Sequence, residues 1–576
     1  MTDVPEFRIG FVLGGAVSAG AYTAGAMDFL IEALDAWDAH RDPDNPDLPR
    51  HWVRIDVMTG ASAGSMCAGI AAVALGRKRP DSSNESFDGN PFYEAWVKGV
   101  DIGHLLDPAD LESSAGPLRS LLNSARLKSV VAGVIATGGP EVRRDWVNDP
   151  LIIRLAQTNL RGVPYTIDMR SNTGGGHSVR NHADETTFIL SDKPIPVESI
   201  AYGRTDWKQI SRINSATDQG WVNLGDAARA SGAFPAFLES VVLARAHHAE
   251  FDGRLFDIPG DNSDSTAHGK SRQIPISPSW PETPPRDPYR YLCVDSGAFN
   301  NEPLQYAREV LAEKPFARNP RDGDKADRAV VLIDPFVGAG KLGPDSEVDW
   351  FRTLLPLGGA MMAENRYNAD DLALAQHETV YSRFLLAPSR GADEQAVEHP
   401  CAGGGLGGFS GFFHQDYRHH DYMLGRRNCQ KFLMEHFSLP RRNKLFEGWS
   451  AAGDNAQGTW LIEDHETGPH LPIIPLFGKC AEEICLPDWP VDSFDPASID
   501  RAIARRVDGI YTHHLKAQKW YIRAYVWAGW RIAGRGKLLD LIRGEIRRCL
   551  VAQRLWTGQV PSRPDPAPYP DPRDMH

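Results

Sequence analysis

The sequence is short of several things, and each shortage removes a class of protein. Seven cysteines in 576 residues (Cys67, Cys293, Cys401, Cys429, Cys480, Cys485 and Cys549) are odd in number and scattered. They make no disulfide framework. Cys480 and Cys485, the one close pair, lack a second pair nearby and give a poor zinc signal. No apolar run reaches the roughly 18 residues of a membrane-spanning helix. Excess positive charge is missing too: the formal net charge is -13, which sets aside bulk nucleic-acid binding. There is no internal repeat. The first residues, MTDVPEFRIGFVLGG, carry acids at Asp3 and Glu6 and only Arg8 before a short apolar run, so no signal peptide is expected. A reducing, cytoplasmic location is the expectation, and neither metal nor cofactor is called for.

What remains is an ordinary globular composition, 42% hydrophobic and 24% charged, with length for a large core and roughly two to four domains. RIGFVL is a short apolar run ending in glycines, a buried strand. In the following AYTAGAMDFLIEALDAW, Met27, Leu30, Ile31 and Leu34 share one helical face. VRIDVM predicts a second strand, and SMCAGIAAVALG a small-residue helix ending at Gly76. Strand, glycines and helix, twice over, is the pattern of a parallel α/β sheet. Residues from about Phe92 to Ala136 read as helical. TTFILS and WVNLGDAARASGAF return to strand and helix, and YRYLCVDSGAFNNEP and RAVVLIDPF are two further strand-then-turn units. CAGGGLGGFSGFF is a second glycine-rich loop without a basic residue placed for phosphate.

Gly60-Ala61-Ser62-Ala63-Gly64 sits where the second strand meets its helix. A serine there occupies a sharp, strained turn, and the flanking glycines give room for the turn and for close helix packing. Its hydroxyl is exposed at the sheet edge beside the free N–H groups of a helix start. Ser62 is therefore the candidate nucleophile. Its base is less obvious. His377, His399, His414, His419 and His420 follow the candidate acids, but in helical or loop patterns without a geometric cue. Two acids end apolar strands: Asp295 runs straight into Ser296-Gly297-Ala298, and Asp334 is followed by Pro335. A strand-end carboxylate beside small residues is where an α/β sheet puts chemistry. The proline makes a structural turn the better reading for Asp334.

Three pieces in order, GGAVSAGAYTAG, GASAG and DSGAFNNEPL, resemble the patatin-like phospholipases. The resemblance spans scattered blocks from about residue 8 to 335. It implies a three-layer α/β/α fold with a mostly parallel central sheet, insertions and a helical C-terminal region. It also implies a Ser–Asp dyad in which Ser62 is the nucleophile and Asp295 the general base, within a motif formed by Gly60, Gly64, Ser296 and Gly297. The first loop, Gly14, Gly15 and Ala16, would be the oxyanion hole, with the N–H groups of Gly15 and Ala16 as donors. Two departures stand out. The loop has Ala16 where a third glycine is common and no basic residue, and Ser296 stands where glycine is usual, placed to hydrogen-bond the carboxylate and lower its basicity. ARASGAFPAF resembles a small-residue helix of the same family, and HDYMLGRRN (His420 to Asn428) a segment of longer bacterial members with no evident role.

The expected domains are a catalytic unit over 1–440 with a polar surface insertion at about 252–288, a mainly helical region over 441–558, and a proline-rich tail over 560–576. The expected activity is hydrolysis of a phospholipid or related acyl ester. The alternatives are a carboxylesterase or thioesterase with a Ser–His–Asp triad, and a catalytically weak lipid-binding scaffold. From Arg501 to Trp556 there are thirteen Lys and Arg against three acids, interleaved with Trp520, Tyr521, Tyr525, Trp527, Trp530 and Trp556. That region reads either as a helical domain with solvated charges or as a peripheral contact with an anionic membrane surface.

Overall fold

In the computed structural model the described residues are all except 1–3, 43–44, 46, 81–86, 114–115, 168–175, 196–206, 259–271, 282, 284, 299–302, 313–318, 337–379, 392–398, 448, 450–459, 463–467, 517–533 and 560–576. The first expected strand is β1 (Glu6–Leu13). Its alternation sorts the two layers: Phe7, Ile9, Phe11 and Leu13 join the larger apolar cluster, while Val12 joins the smaller one on the other face. The chain continues through α1 (Gly20–His40), β2 (Trp52–Gly60), α2 (Ala63–Gly76), α3 (Ala125–Ile135), β3 (Val147–Ile167), β4 (His177–Leu190), β5 (Trp207–Ile210) and α4 (Gln219–Ser231). It then forms β6 (Val241–Arg245), β7 (Arg254–Ile258), β8 (Arg272–Ile276), β9 (Tyr289–Val294), α5 (Leu304–Ala312), β10 (Arg328–Ile333), β11 (Arg383–Leu386) and α6 (Gln415–Lys431).

The sheet is mixed and mostly parallel along its centre. Its strands run β11-β10-β1-β2-β3-β4-β5, with β9 pairing β3 and β6 off that path. The pairs β11–β10, β10–β1, β1–β2, β2–β3 and β4–β5 are parallel. Helices cover both sides: α1 and α2 on the larger cluster, and α5 on the smaller through Ala307, Val310 and Leu311. The parallel expectation fails at two places: β3 and β4 pair antiparallel, and β9 runs antiparallel to both β3 and β6. The β9 pairing falls at an irregularity in β3. Its register breaks between Thr158 and Val163, and Thr158 and Asn159 just before the break pair with Val294 and Cys293.

The polar stretch 252–288 contains the antiparallel pair β7–β8, and the residues between those strands lie outside the described set. At the C-terminal end, α7 (Asp500–Lys516) and α8 (Arg535–Ala552) are helices as expected. They bury Ile503, Leu539, Ile546 and Leu550 with Phe413 and Tyr417. Their arginines meet acids: Arg543 and Arg547 reach Asp500, Arg535 reaches Asp508, and Arg548 reaches Glu545. Trp520, Tyr521, Tyr525, Trp527 and Trp530 and the proline-rich tail fall outside the described residues. Among the described residues, no helix is long and apolar enough to cross a membrane.

Candidate active site

The turn from β2 into α2 is as sharp as its sequence requires. Ser62 sits at φ 50° and ψ -123°, a backbone state costing about 1–3 kcal/mol for a non-glycine residue. A Cβ on Gly64 would stand 2.0 Å from the Leu13 carbonyl oxygen, so only glycine lets α2 approach β1 so closely. The strained turn is held by hydroxyls. The Ser62 N–H donates to Ser231 Oγ at 2.9 Å and to Ser296 Oγ at 3.0 Å. Ser65 Oγ donates to Ser231 Oγ at 2.8 Å, and the Ser231 and Ser296 oxygens lie 3.2 Å apart.

Asp295 leaves β9 directly opposite. Ser62 Oγ donates to Asp295 Oδ2 at 2.6 Å, and the Gly297 N–H donates to Asp295 Oδ1 at 2.7 Å. The aspartate backbone is pinned as well: its N–H donates to the Ala233 carbonyl at 2.9 Å, and Thr158 Oγ1 donates to its carbonyl at 2.8 Å. Burial raises the Asp295 pKa from 3.8 to about 6, against the lowering effect of the Ser62 hydroxyl and the Gly297 N–H. The expectation that Ser296 would bond this carboxylate is corrected. Its hydroxyl turns toward the Ser62 N–H and Ser231 instead, so it stiffens the elbow. Asp334, the rival acid, accepts from the Phe336 N–H at 2.9 Å, the structural turn that its proline suggested.

The loop between β1 and α1 lies against the elbow, since the space beside Gly64 is closed by the Leu13 and Gly14 carbonyls. The sequence expectation puts Gly14 in the oxyanion hole, but its N–H donates to the Ile333 carbonyl at 2.9 Å. Gly14 is thereby fixed to β10 and takes a structural place in the loop. The N–H groups of Gly15, Ala16 and Val17 have no hydrogen-bond partner among the described residues, and neither does that of Ala63 at the start of α2. Unpaired N–H groups of this kind are what an oxyanion hole requires. Val17, a β-branched residue at φ 47°, lines the same cavity as Ser62 and Asp295.

That cavity is apolar. It runs from Ser62 between α2, α3 and α4, past Met66, Ile70, Val131, Trp221, Leu224 and Ala228. The helix α3 shows its role in its burial pattern: Leu127, Val130, Val131 and Val134 are half-buried on the cavity side, Arg126 is exposed, and Lys128 pairs with Glu239, which also lines the cavity. Among the described residues no histidine lines the cavity. His414 caps α6, accepting from the Asp416 N–H; His419 bonds the Tyr93 hydroxyl; His420 bonds Asp421. His399 is described away from this cavity and His377 lies outside the described residues. Sequence reasoning missed Ser231 and Ala63. Ser231 was visible only as one small residue in ARASGAF, and nothing local marks it as a partner of an elbow 169 residues away.

A model of the family "Patatin-like phospholipase" matches residues 11–308, a span holding the loop, the elbow and Asp295. The chain belongs to the patatin-like phospholipase family. Membership supports lipid acyl hydrolysis as the class of chemistry. A full-length relative, the uncharacterized protein y4iI of Sinorhizobium fredii, is 32% identical across 98% of this chain and 84% of its own length. Among solved structures, VipD from Legionella pneumophila shares 11% identity over 73% of this chain and 67% of its own, with a TM-score of 0.19. At that score the likeness carries no argument.

Proposed function

We propose that this patatin-like phospholipase cleaves a lipid acyl ester through a Ser62–Asp295 dyad and a covalent acyl-enzyme. The observation that carries the reading is the 2.6 Å hydrogen bond from Ser62 Oγ to a buried Asp295 at the head of an apolar cavity. Asp295 Oδ2 takes the hydroxyl proton as Ser62 Oγ bonds to the ester carbonyl carbon. The carbonyl oxygen becomes an oxyanion facing the N–H groups of Gly15, Ala16 and Ala63. Collapse expels the alcohol, which leaves with the proton from Asp295. Water then attacks the acyl-enzyme, gives its proton to Asp295, and releases the fatty acid as Ser62 regains a proton. The cavity takes the acyl chain, and its burial contributes about 0.8 kcal/mol per methylene.

A Ser–His–Asp triad has no support from the described lining, and a binding-only scaffold leaves a base raised toward neutrality without a use. The deciding experiment pairs a lipid-panel hydrolysis assay with fluorophosphonate labelling, on wild type and Ser62→Ala. Labelling and fatty-acid release by wild type alone are the expected outcome. Release that survives Ser62→Ala refutes the nucleophile, and wild type that neither labels nor hydrolyses refutes the enzyme.

A further inference from the structure

HDYMLGRRN has no part in the chemistry above, yet it lies on α6, the helix packed across α1. The crossing is very close. A Cβ on Gly25 would stand 1.9 Å from the Tyr422 carbonyl oxygen, and one on Gly425 would stand 2.0 Å from that of Tyr22. Charge locks the same contact. Asp28 of α1, 2% exposed, accepts from Tyr422 Oη and Asn90 Nδ2 at 2.7 Å each, from Arg79 at 3.0 Å, and from Arg426. Arg426 also reaches Glu32 at 2.5 Å. The first turn of α1 begins where the oxyanion loop ends, so α6 fixes the axis on which that loop is mounted.

The second glycine-rich segment completes the connection. Asp421, fully buried, accepts from the N–H groups of Ala402 at 2.7 Å and Gly403 at 2.8 Å. Arg418, one turn earlier and 2% exposed, donates to the Gly411 carbonyl at 2.7 Å. Between these anchors the segment is hydrogen-bonded by Ser18, the residue after the oxyanion loop. Ser18 Oγ donates to the Gly408 carbonyl and accepts from the Gly411 N–H at 3.0 Å. Gly408 is itself pressed on the loop: a Cβ there would meet the Ala16 oxygen and Val17 Cβ at 3.1 Å each. Val17 beside it holds a φ of 47°, a state a β-branched residue adopts only under constraint.

We propose that Ser18, Asp421 and Arg418 are positioning residues, which hold the Gly15–Val17 backbone in donor geometry through the glycine segment 402–411. The chain lacks a basic residue in its oxyanion loop and braces that loop from α6, some four hundred residues along the sequence. This inference rests on the acyl-enzyme reading above. Losing an interaction used only when negative charge develops lowers kcat and transition-state affinity while leaving substrate binding alone.

The test uses the full-length protein with Ser18→Ala and Asp421→Asn. Active sites are titrated with a fluorophosphonate, and kcat and KM are taken per titrated site on a short-chain ester. The Ki of a trifluoromethyl ketone, whose adduct with serine carries an oxyanion, is measured alongside. Loss of the brace is expected to lower kcat about 10- to 10²-fold, less than the 10²–10³ seen when an oxyanion donor is deleted outright. KM should stay within about threefold, and Ki should rise in proportion to KM/kcat, as transition-state binding requires. Per-site kcat equal to wild type overturns the proposal, and so does a fall in kcat that Ki does not follow. Should Asp421→Asn not fold, Ser18→Ala, which deletes one hydroxyl, decides alone. If wild type neither labels nor hydrolyses, the function reading has failed and this inference falls with it; if wild type turns over and the variants match it, only the brace is wrong.

Discussion

The proposed base, Asp295, buried at 2% exposure beside a serine, makes a quantitative demand on pH. Burial lifts the Asp295 carboxyl from 3.8 to about 6, and at 1.36 kcal/mol per tenfold that is about 3 kcal/mol of differential interaction. Only the carboxylate can take the Ser62 proton. The value of kcat/KM should therefore rise tenfold per pH unit below about 6 and flatten above it, so that pH 5 gives about a tenth of the plateau. Stability moves oppositely. A carboxyl whose folded pKa is raised favours the folded state fully below 3.8, and that contribution is lost as pH climbs to about 6. Asp295→Asn has no such titration. Its stability relative to wild type should grow by about 2 kcal/mol between pH 4 and pH 7, while activity disappears. The assays are initial rates of acid release at constant pH on a short-chain ester, and urea unfolding of both proteins at pH 4 and 7. A flat rate profile between pH 4.5 and 7 would refute the argument, as would substantial turnover by Asp295→Asn.

Two further outcomes follow from the packing. Gly69 lines the cavity, and the nearest atom to a Cβ built there is Ala228 Cβ at 3.8 Å, so Gly69→Leu should fold and shorten the acyl slot. Long-chain esters should lose about fourfold in kcat/KM per displaced methylene while short ones hold, read by a chain-length series; an unchanged series removes the cavity from the substrate path. Arg426→Met leaves Asp28 and Glu32 with Arg79 as their remaining arginine partner and should cost about 3 kcal/mol in urea unfolding. Adding Asp28→Asn should recover part of that loss, because the uncompensated charge causes it.

Much of the centre was legible because it is local. The strand–glycine–helix units, the elbow at Ser62 and the strand-end Asp295 each depend on residues within a dozen positions of one another. What was illegible depends on long closures. No local pattern says that β9 is antiparallel, since its alternation is the same in either direction; its partners on β3, Thr158 and Asn159, lie more than a hundred residues away. The engagement of Gly14 by Ile333 needs β10, and the assignment of Ser296 to the elbow needs Ser231. The glycine-rich segment 402–411 looked like a loop without a ligand because its partner is a serine at position 18.

The serine cluster also bears on donor supply in the proposed mechanism. In a Gly-x-Ser-x-Gly elbow the N–H of the residue after the nucleophile commonly serves the oxyanion. Here the nucleophile's own N–H is held by Ser231 and Ser296, and that of Gly64 by the Ala61 carbonyl at 2.8 Å. The Ala63 N–H stands unpaired between them among the described residues. The elbow therefore offers one free donor among the described residues, and under the proposed mechanism the second comes from Gly15, Ala16 or Val17. That division explains why the two parts are stiffened separately. A hydroxyl cluster fixes the backbone of Ser62 and leaves Asp295 Oδ2 for the hydroxyl proton, while the loop, with no cation of its own, borrows its rigidity from α6. Relaxing either part displaces one set of donors from the other, and an oxyanion stabilised by fixed dipoles gains least when those dipoles must reorganise.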